Sequence, residues 1–313
     1  MAFAGGGVWL LPPGAGGAIG FAMTAFATAA LPDDRAVLSA IEPLVLEAGR
    51  RIVEIASEGF ATEVKADESP VTKADREAEA ILLSGLRRLF PAIPIVAEEE
   101  ESAGLAPHKV GDVFFLVDPL DGTREFVRGG DDYTVNVALI RGGVPVVGAV
   151  YAPACRQLYL GRPGFAELVE ADAGHRPLAR REIGVRQPQA PLVVVASRSH
   201  GSPATEDYIA RLGPVERTSV GSSLKFCLLA AGKADLYPRM GRTMQWDTAA
   251  GDAVLRAAGG LTRRLDGVVL GYGAGTVAGD EPFANPHFIA EGMQGGAGAP
   301  RGTDAALIRS DGA

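Results

Sequence analysis

The sequence predicts a protein of mixed α and β structure, with an N-terminal α+β half, a C-terminal α/β half and a cleft between them. Amphipathic helical patterns and short apolar runs alternate along the chain. Two of these runs end directly in acidic residues, as buried strands do where α/β enzymes place their sites. The length of 313 residues suits one large domain or two domains of roughly 100–200 residues each.

Two helical patterns open the N-terminal half. Apolar residues recur on one face of Asp33–Ser57 until Gly59 ends the helix. A second helix starts near Thr72 and stops at Pro91. After it we expect buried strands at 93–97 and 113–117, and an antiparallel meander at 133–140, 144–151 and 157–160.

The C-terminal half repeats the alternation of strands and helices. Strands are expected at 192–196 and 234–237, and helices at 204–212, 223–231 and 247–258. The predicted division of the chain is a leader at 1–32, an N-terminal half at 33–180, a C-terminal half at 181–290 and a tail at 291–313.

The leader and the tail are rich in glycine and alanine. The leader has no charge before Asp33, so it lacks the positive region of a secretory signal. Pro12, Pro13 and the glycines also argue against a membrane span. We expect disorder at both ends, or a start codon assigned too early with Met23 as the true start. Peripheral membrane association would depend on the leader alone.

The charge balance excludes one class of partner. The formal net charge of −8 offers no basic tract for a nucleic-acid polymer. A small anionic substrate remains compatible, because bound metal ions reverse the local charge of a site. Cys155 and Cys227 lie in apolar sequence, which favours buried free thiols and a cytoplasmic location. Four scattered histidines argue against a zinc site of the His/Cys type.

The strongest chemical pattern is the segment DPLDGTREF at 118–126. Asp118 and Asp121 follow an apolar strand, and Gly122 permits close approach of a ligand to the backbone. If Thr123 opens a short helix, its backbone N–H groups face the same point as the carboxylates. Carboxylates for a hard cation beside amides for a phosphate suit metal-assisted phosphoryl chemistry. The alternative is an acidic turn that caps a helix.

Two further acidic segments support the same interpretation. Glu98 is the first of four glutamates at the end of a buried strand, although a charge run is usually a solvated loop. Asp247 opens the last long helix, where it acts as the N-cap or, beside a metal ion, as a ligand.

Thr72 and Asp75 have the spacing of a capping box. Alternatively, Asp75 orients a water molecule or the Thr123 hydroxyl. The segment GSSLK at 221–225 combines small hydroxyls with a lysine at a predicted helix start, which suits a phosphate. Two further candidates for that pocket, each also consistent with an ordinary surface residue, are His200 and Arg239.

Together these segments resemble the inositol monophosphatase superfamily of lithium-sensitive, Mg²⁺-dependent phosphatases. The resemblance runs from about Asp34 to Phe288 and rests on three acidic blocks in the family's order, at 98–100, 118–123 and 246–251. The blocks at 65–75, 133–140, 197–200, 219–228 and 236–239 resemble the branch of CysQ-type 3′(2′),5′-bisphosphate nucleotidases. The fold that this resemblance implies is a layered α-β-α-β-α sandwich of the sugar-phosphatase type.

The resemblance also implies roles for individual residues. The expected ligands of about two or three Mg²⁺ ions are the side chains of Glu98, Asp118, Asp121 and Asp247 and the carbonyl of Leu120. The expected catalytic groups are Asp75, Thr123 and Glu98. The expected substrate-binding residues are Gly122, Thr123, His200, Ser222, Lys225 and Arg239, together with Glu98, Leu120, Asp121 and Asp247.

The activity implied is hydrolysis of the 3′-phosphate of adenosine 3′,5′-bisphosphate to AMP, in sulfur assimilation or nucleotide recycling. The sequence does not rank this substrate against its sulfated relative, and it leaves the oligomeric state open. One alternative is a monoesterase for inositol phosphates or sugar phosphates with the same metal site. Another is a non-catalytic sensor of nucleotide or metal.

Overall fold

Two sheets with helices between and around them organise the chain. A computed structural model describes residues 32–64, 70–107, 109–187, 189–197, 201–277 and 279–292. Nearly all of the predicted leader and tail therefore lies outside the described residues. Among these residues, no helix is long and apolar enough to cross a membrane.

The helices of the described residues are α1 (Asp34–Glu58), α2 (Lys73–Leu89), α3 (Glu98–Ser102), α4 (Thr123–Val127), α5 (Pro203–Arg211), α6 (Leu224–Ala230) and α7 (Ala249–Ala257). A 3₁₀ turn, Gln245–Asp247, precedes α7. A short hairpin, β1 (Thr62–Val64) with β2 (Pro70–Thr72), precedes α2.

The larger sheet has seven strands in chain order. They are β3 (Ile95–Ala97), β4 (Val113–Asp121), β5 (Thr134–Arg141), β6 (Val144–Ala152), β7 (Gln157–Arg162), β8 (Phe165–Ala171) and β9 (Pro177–Glu182). Only the first pair, β3 with β4, is parallel. The other pairs are antiparallel, which confirms the predicted meander and extends it by β8 and β9.

The smaller sheet has five strands in the order β11-β10-β12-β14-β13. They are β10 (Leu192–Ser197), β11 (Val215–Val220), β12 (Leu236–Arg239), β13 (Leu261–Arg264) and β14 (Phe288–Glu291). The strand β10 runs parallel to β11 and β12, whereas β14 is antiparallel to β12 and β13.

One outer layer consists of α1 and α2. Their apolar faces pack on the seven-stranded sheet in a core that includes the fully buried Ile41, Ile52 and Leu82. The start of α2 is the predicted capping box, since the Thr72 N–H donates to Asp75 Oδ2 over 2.7 Å.

The middle layer consists of α6 and α7, which lie between the two sheets in a second core. Glycines on neighbouring strands let α7 approach the larger sheet closely. A Cβ on Gly148 would lie 2.3 Å from the carbonyl oxygen of Ala250, and one on Gly161 would lie 2.5 Å from the Cα of Val254. These two glycines face each other in the β6–β7 register.

The last layer is α5, which covers the far face of the five-stranded sheet. Ile209 of α5 packs with Val194 of β10 and Leu236 of β12 in a small core. The complete order is helices, sheet, helices, sheet, helix. The predicted α-β-α-β-α sandwich is therefore confirmed.

Two local predictions are wrong. The helix predicted from Asp247 is a 3₁₀ turn followed by α7, because the chain is not helical at Thr248 (φ −121°, ψ −33°). Cys155 is exposed, because it lies in the tight turn between β6 and β7, whereas Cys227 is buried as expected.

We expect Gly148→Ala to lower the free energy of unfolding by about 1–3 kcal/mol, because the added methyl group forces α7 away from the sheet. Urea denaturation followed by circular dichroism measures this change. Gly184→Ala is the matched control, since its Cβ would meet nothing closer than 3.7 Å. Equal midpoints for the two variants would contradict the packing argument.

Candidate active site

Two parallel strands place the first two carboxylates side by side. In the register of β3 and β4, Ala97 pairs with Val117. The residues that follow, Glu98 and Asp118, therefore emerge together at the same edge of the sheet. Glu98 begins α3, and Asp118 is almost fully buried.

An irregularity in β4 brings Asp121 to the same edge. The pairing of β4 with β5 shifts between Asp118 and Asp121, and the Leu120 N–H donates to Asp118 Oδ1 over 3.0 Å. The chain then turns at Gly122, whose φ of 95° and close approach to Asp132 leave no room for a side chain. The short helix α4 begins at Thr123, as the sequence analysis required.

The fourth carboxylate comes from the C-terminal half. Asp247 ends the 3₁₀ turn, and its Oδ2 accepts a 2.9 Å hydrogen bond from the Met244 N–H. The predicted N-cap role on α7 is wrong, because this carboxylate closes the preceding turn. The buried amide of Asn285 holds the same turn by donating to the Met244 carbonyl over 2.7 Å and to Thr248 Oγ1 over 3.0 Å.

Asp75 makes both of the contacts that its sequence position suggested, one with Thr72 at the start of α2 and one with Thr123. Its Oδ2 accepts hydrogen bonds from the N–H and the hydroxyl of Thr72, each 2.7 Å long. Its Oδ1 lies 3.0 Å from Thr123 Oγ1, which is also 3.0 Å from the Leu120 carbonyl oxygen. Burial raises the pKa of Asp75, and the hydrogen bonds from Thr72 oppose that shift. The helix cap and the contact with Thr123 therefore coexist on one carboxylate.

Most of the predicted site residues line a cleft of about 480 Å³. Its lining includes Glu98, Asp118, Leu120, Asp121, Gly122, Thr123, Ser222, Lys225, Arg239 and Asp247. Asp75 lies behind Thr123, and His200 lies outside the described residues. The structure thus brings the predicted residues together, while the roles assigned to them stay predictions.

The carboxylates of this cleft repel one another. Burial, followed by the charges of Glu98, Asp121 and Asp247, raises the pKa of Asp118 well above its ordinary value. Burial and then Asp121 and Glu98 do the same to the pKa of Asp247. A group of acids with raised pKa values gains stability when a cation enters.

The donor set fits a hard divalent cation. It offers carboxylate oxygens and the Leu120 carbonyl, which are the ligand types that Mg²⁺ prefers. Among the described residues, no three acidic, histidine or cysteine side chains converge as placed into a set that would hold one ion.

Basic side chains line the same cleft as the carboxylates. The ammonium group of buried Lys225 donates to the Ser222 carbonyl over 2.5 Å. Burial lowers the pKa of Lys225 to about 8, with Asp121 opposing the shift and Arg239 adding to it. Arg239 is also buried and donates to the Arg242 carbonyl over 2.8 Å. Arg124 and Arg242 extend the basic lining toward the cleft entrance.

Ser222 adopts a backbone conformation that is unusual for a residue with a side chain. Its φ of 50° lies in the left-handed region, two residues before the start of α6. Such conformations are costly and cluster at functional sites. This observation supports the predicted place of Ser222 in the substrate site.

The sequence analysis missed several residues that support the site. Glu79 of α2 is buried, and its Oε2 accepts a 2.9 Å hydrogen bond from the Glu99 N–H at the start of α3. The sequence could have indicated Glu79, because it follows Asp75 by one helical turn and therefore lies on the same face of α2. Asn136 and Ser223 are also buried beside the carboxylates. Nothing in the local sequence distinguishes Asn136 from core residues, and Ser223 was included only as one of the small hydroxyls of the segment 221–225.

Comparison with known proteins identifies the family. The sequence profile described as "Inositol monophosphatase family" matches residues 33–294. The chain therefore belongs to the inositol monophosphatase family.

Several individual proteins are similar to this chain. The 3′(2′),5′-bisphosphate nucleotidase CysQ of Escherichia coli O157:H7 is 42% identical over 254 residues, which cover 80% of this chain and 98% of that protein. The CysQ protein of Escherichia coli K12 is 44% identical over 224 residues, covering 72% of this chain and 86% of the relative. The crystal structure of CysQ from Bacteroides thetaiotaomicron has a TM-score of 0.67 and 35% identity, over 82% of this chain and 97% of that one.

Glu79 generates a prediction about stability and pH. Burial and then the neighbouring glutamates raise its pKa from 4.5 to about 7, against the hydrogen bond from Glu99. Between these two values the folded protein retains a proton that the unfolded chain loses. Glu79 therefore lowers stability as the pH rises through this window, and the loss is complete above pH 7.

We expect Glu79→Gln, measured in chelator, to raise the free energy of unfolding by about 1–2 kcal/mol at pH 8 and by almost nothing at pH 4.5. The amide oxygen of glutamine can still accept from the Glu99 N–H. Glu77→Gln on the same helix is the control, because Arg51 lowers the pKa of Glu77 and the variant should show no gain. Parallel pH profiles for wild type and Glu79→Gln would contradict this account.

Proposed function

We propose that this member of the inositol monophosphatase family is a Mg²⁺-dependent 3′(2′),5′-bisphosphate nucleotidase. The reaction is hydrolysis of the 3′-phosphate of adenosine 3′,5′-bisphosphate to AMP and phosphate, with the sulfated relative as a second substrate. The proposal is supported by the CysQ relatives, which are 3′(2′),5′-bisphosphate nucleotidases and are 42% and 44% identical over most of the chain. It assigns the enzyme to nucleotide recycling in sulfur metabolism, in the cytoplasm.

The observation that carries the proposal is a cleft that holds acidic and basic side chains together. Glu98, Asp118 and Asp247 form what we call its acidic wall, and the buried Lys225 and Arg239 form its basic wall. A monoesterase needs one place for one phosphate. A substrate with two phosphates needs a second cationic place at a fixed distance from the reaction, and the buried lysine and arginine provide it.

The acidic wall is the proposed Mg²⁺ site. Glu98, Asp118, Asp121, Asp247 and the Leu120 carbonyl would hold the ions. Bound Mg²⁺ supplies positive charge that acidifies the attacking water and offsets the charge of the transferring phosphoryl group.

In this proposal Thr123 and Asp75 accept the proton of the attacking water. Thr123 Oγ1 lies 3.0 Å from Asp75 Oδ1, so its own proton passes to Asp75 as the hydroxyl accepts the proton of the water. The raised pKa of Asp75 makes this carboxylate a stronger base. Thr72 holds the other carboxylate oxygen, which fixes the orientation of Asp75.

The N-terminus of α4 receives the scissile phosphate in this proposal. The backbone N–H groups at Gly122 and Thr123 lie at the first turn of α4, beside Asp121. The charge of the second phosphate is met by Lys225 and Arg239, with the Ser222 hydroxyl as an additional donor. Lys225 is buried, and its ammonium group donates to the Ser222 carbonyl.

The direct test is phosphate release from adenosine 3′,5′-bisphosphate and from inositol 1-phosphate, side by side, with Mg²⁺ and with chelator. We expect a strong preference for the nucleotide and no release from either substrate in chelator. Preference for inositol 1-phosphate would keep the metal site and overturn the assignment of the basic wall. Absence of Mg²⁺-dependent release from both would favour a binding protein.

Replacing the buried lysine separates the two substrates. Lys225→Met should lower kcat/KM for adenosine 3′,5′-bisphosphate by about 100-fold, because a desolvated charge partner is lost. The effect on inositol 1-phosphate should be much smaller, since that substrate has no second phosphate. Lys233→Met, at an exposed lysine, is the control. Equal losses on the two substrates would show that Lys225 does not bind the second phosphate.

The proton-accepting pair is tested by Thr123→Val. Removing the hydroxyl should lower kcat by about 10²–10⁴-fold while Mg²⁺ still binds, as measured by calorimetry. Thr123→Ser retains the hydroxyl and should keep most of the activity. A valine variant with near wild-type kcat would exclude Thr123 from proton transfer.

A further inference from the structure

Ser223 lies between the two halves of the site and has no assigned role. Its side chain is only 2% exposed, immediately before α6. A serine at this position usually caps the helix, but the Ser223 hydroxyl makes no capping hydrogen bond. Its hydrogen bonds go instead to groups that belong to three other elements.

These hydrogen bonds connect the carboxylate of Asp121 with the backbone of Asp247. Ser223 Oγ lies 2.6 Å from the Asp247 carbonyl oxygen and 3.1 Å from Asp121 Oδ2. It also accepts a 3.0 Å hydrogen bond from the Nδ2 atom of Asn136. A serine hydroxyl has one proton to donate, so the carbonyl and the carboxylate share it, while a lone pair of Oγ accepts from the amide.

The amide of Asn136 fixes the direction of the hydroxyl. Asn136 is fully buried on β5, where it pairs with Asp118 across the β4–β5 ladder. Its Oδ1 has no hydrogen-bond partner among the described residues. Rotating the amide would place Oδ1 against a hydroxyl whose proton already points toward Asp247. The side chain of Asn136 therefore donates to Ser223 and leaves one oxygen unpaired.

We propose that Ser223 is a positioning residue that fixes the spacing between Asp121 and Asp247. This inference rests on the proposed function, because it treats these two carboxylates as ligands of one Mg²⁺ site. Asp121 comes from β4 in the N-terminal half, and Asp247 comes from the 3₁₀ turn in the C-terminal half. The Ser223 hydroxyl is within hydrogen-bonding distance of both residues.

The consequence of losing the hydroxyl follows from charge repulsion. Without it, the Asp247 carbonyl and the Asn136 amide lose a buried partner, and Asp121 loses one donor. The Asp121 carboxylate and the backbone segment that carries Asp247 are then free to separate. Groups that orient metal ligands from behind typically contribute about 10–100-fold to metal affinity, so an effect of that size is expected here.

The test measures Mg²⁺ binding to the full chain by isothermal titration calorimetry, without substrate. Ser223→Ala should raise the Mg²⁺ dissociation constant by about 10–100-fold. Ser202→Ala is the matched control, because its hydroxyl donates to the Met240 carbonyl over 2.6 Å and caps α5. The control should lose thermal stability in chelator and keep its Mg²⁺ affinity. Saturating Mg²⁺ should restore kcat in Ser223→Ala, which a misfolded site would not allow.

Asn136→Ala provides a second variant that leaves the serine in place. If Asn136 acts through Ser223, the double variant should bind Mg²⁺ about as weakly as Ser223→Ala alone. Unchanged Mg²⁺ affinity in Ser223→Ala, with Mg²⁺-dependent activity in wild type, would overturn the inference and leave the proposed function intact. Wild-type protein that binds no Mg²⁺ would overturn both.

Discussion

Repulsion among carboxylates that share one buried cleft is the constraint on which the rest of the site depends. Burial and mutual charge raise the pKa values of Asp118 and Asp247 well above their ordinary range. Each carboxylate receives partial compensation from the protein, through the N–H of Leu120 for Asp118 and the N–H of Met244 for Asp247. Such an arrangement is costly for an apo protein, and a divalent cation is the partner that makes it favourable.

The layered fold explains why this constraint falls at one place. Glu98 and Asp118 follow the parallel pair β3 and β4 and lie at one edge of the larger sheet. Asp247, in the turn before α7, comes from the C-terminal half of the chain. The loop at Asp132 lies against both Gly122 and Gly221, where a Cβ at either position would come within 2.8 Å of it. This packing holds the segment that carries Asp121 and the segment that carries Lys225 close together.

The features that could be predicted from the sequence are those that depend on residues close together along the chain. Strand ends followed by acids located Glu98 and Asp118, and the capping-box spacing located Asp75. Contacts between distant segments could not be predicted from the sequence. The contacts of Glu79, Asn136 and Ser223 therefore became visible only in the structure. The strand β11 was missed because its residues are largely exposed and polar, and β14 because its four residues are shorter than a periodic signal. Asp247 was misplaced because a 3₁₀ turn and a helix cap share the same residue preference.

The central claim is that Mg²⁺ binds to the same acids whose pKa values are raised by burial and mutual repulsion in the cleft. Calorimetric titration of Mg²⁺ at pH 7, repeated in buffers with different ionisation enthalpies, counts the protons released when the ion binds. The account predicts net proton release, because a bound cation offsets the repulsion that raises the pKa values of Asp118 and Asp247. It also predicts that Asp118→Asn reduces this release. Tight Mg²⁺ binding with the same heat in every buffer would contradict the account.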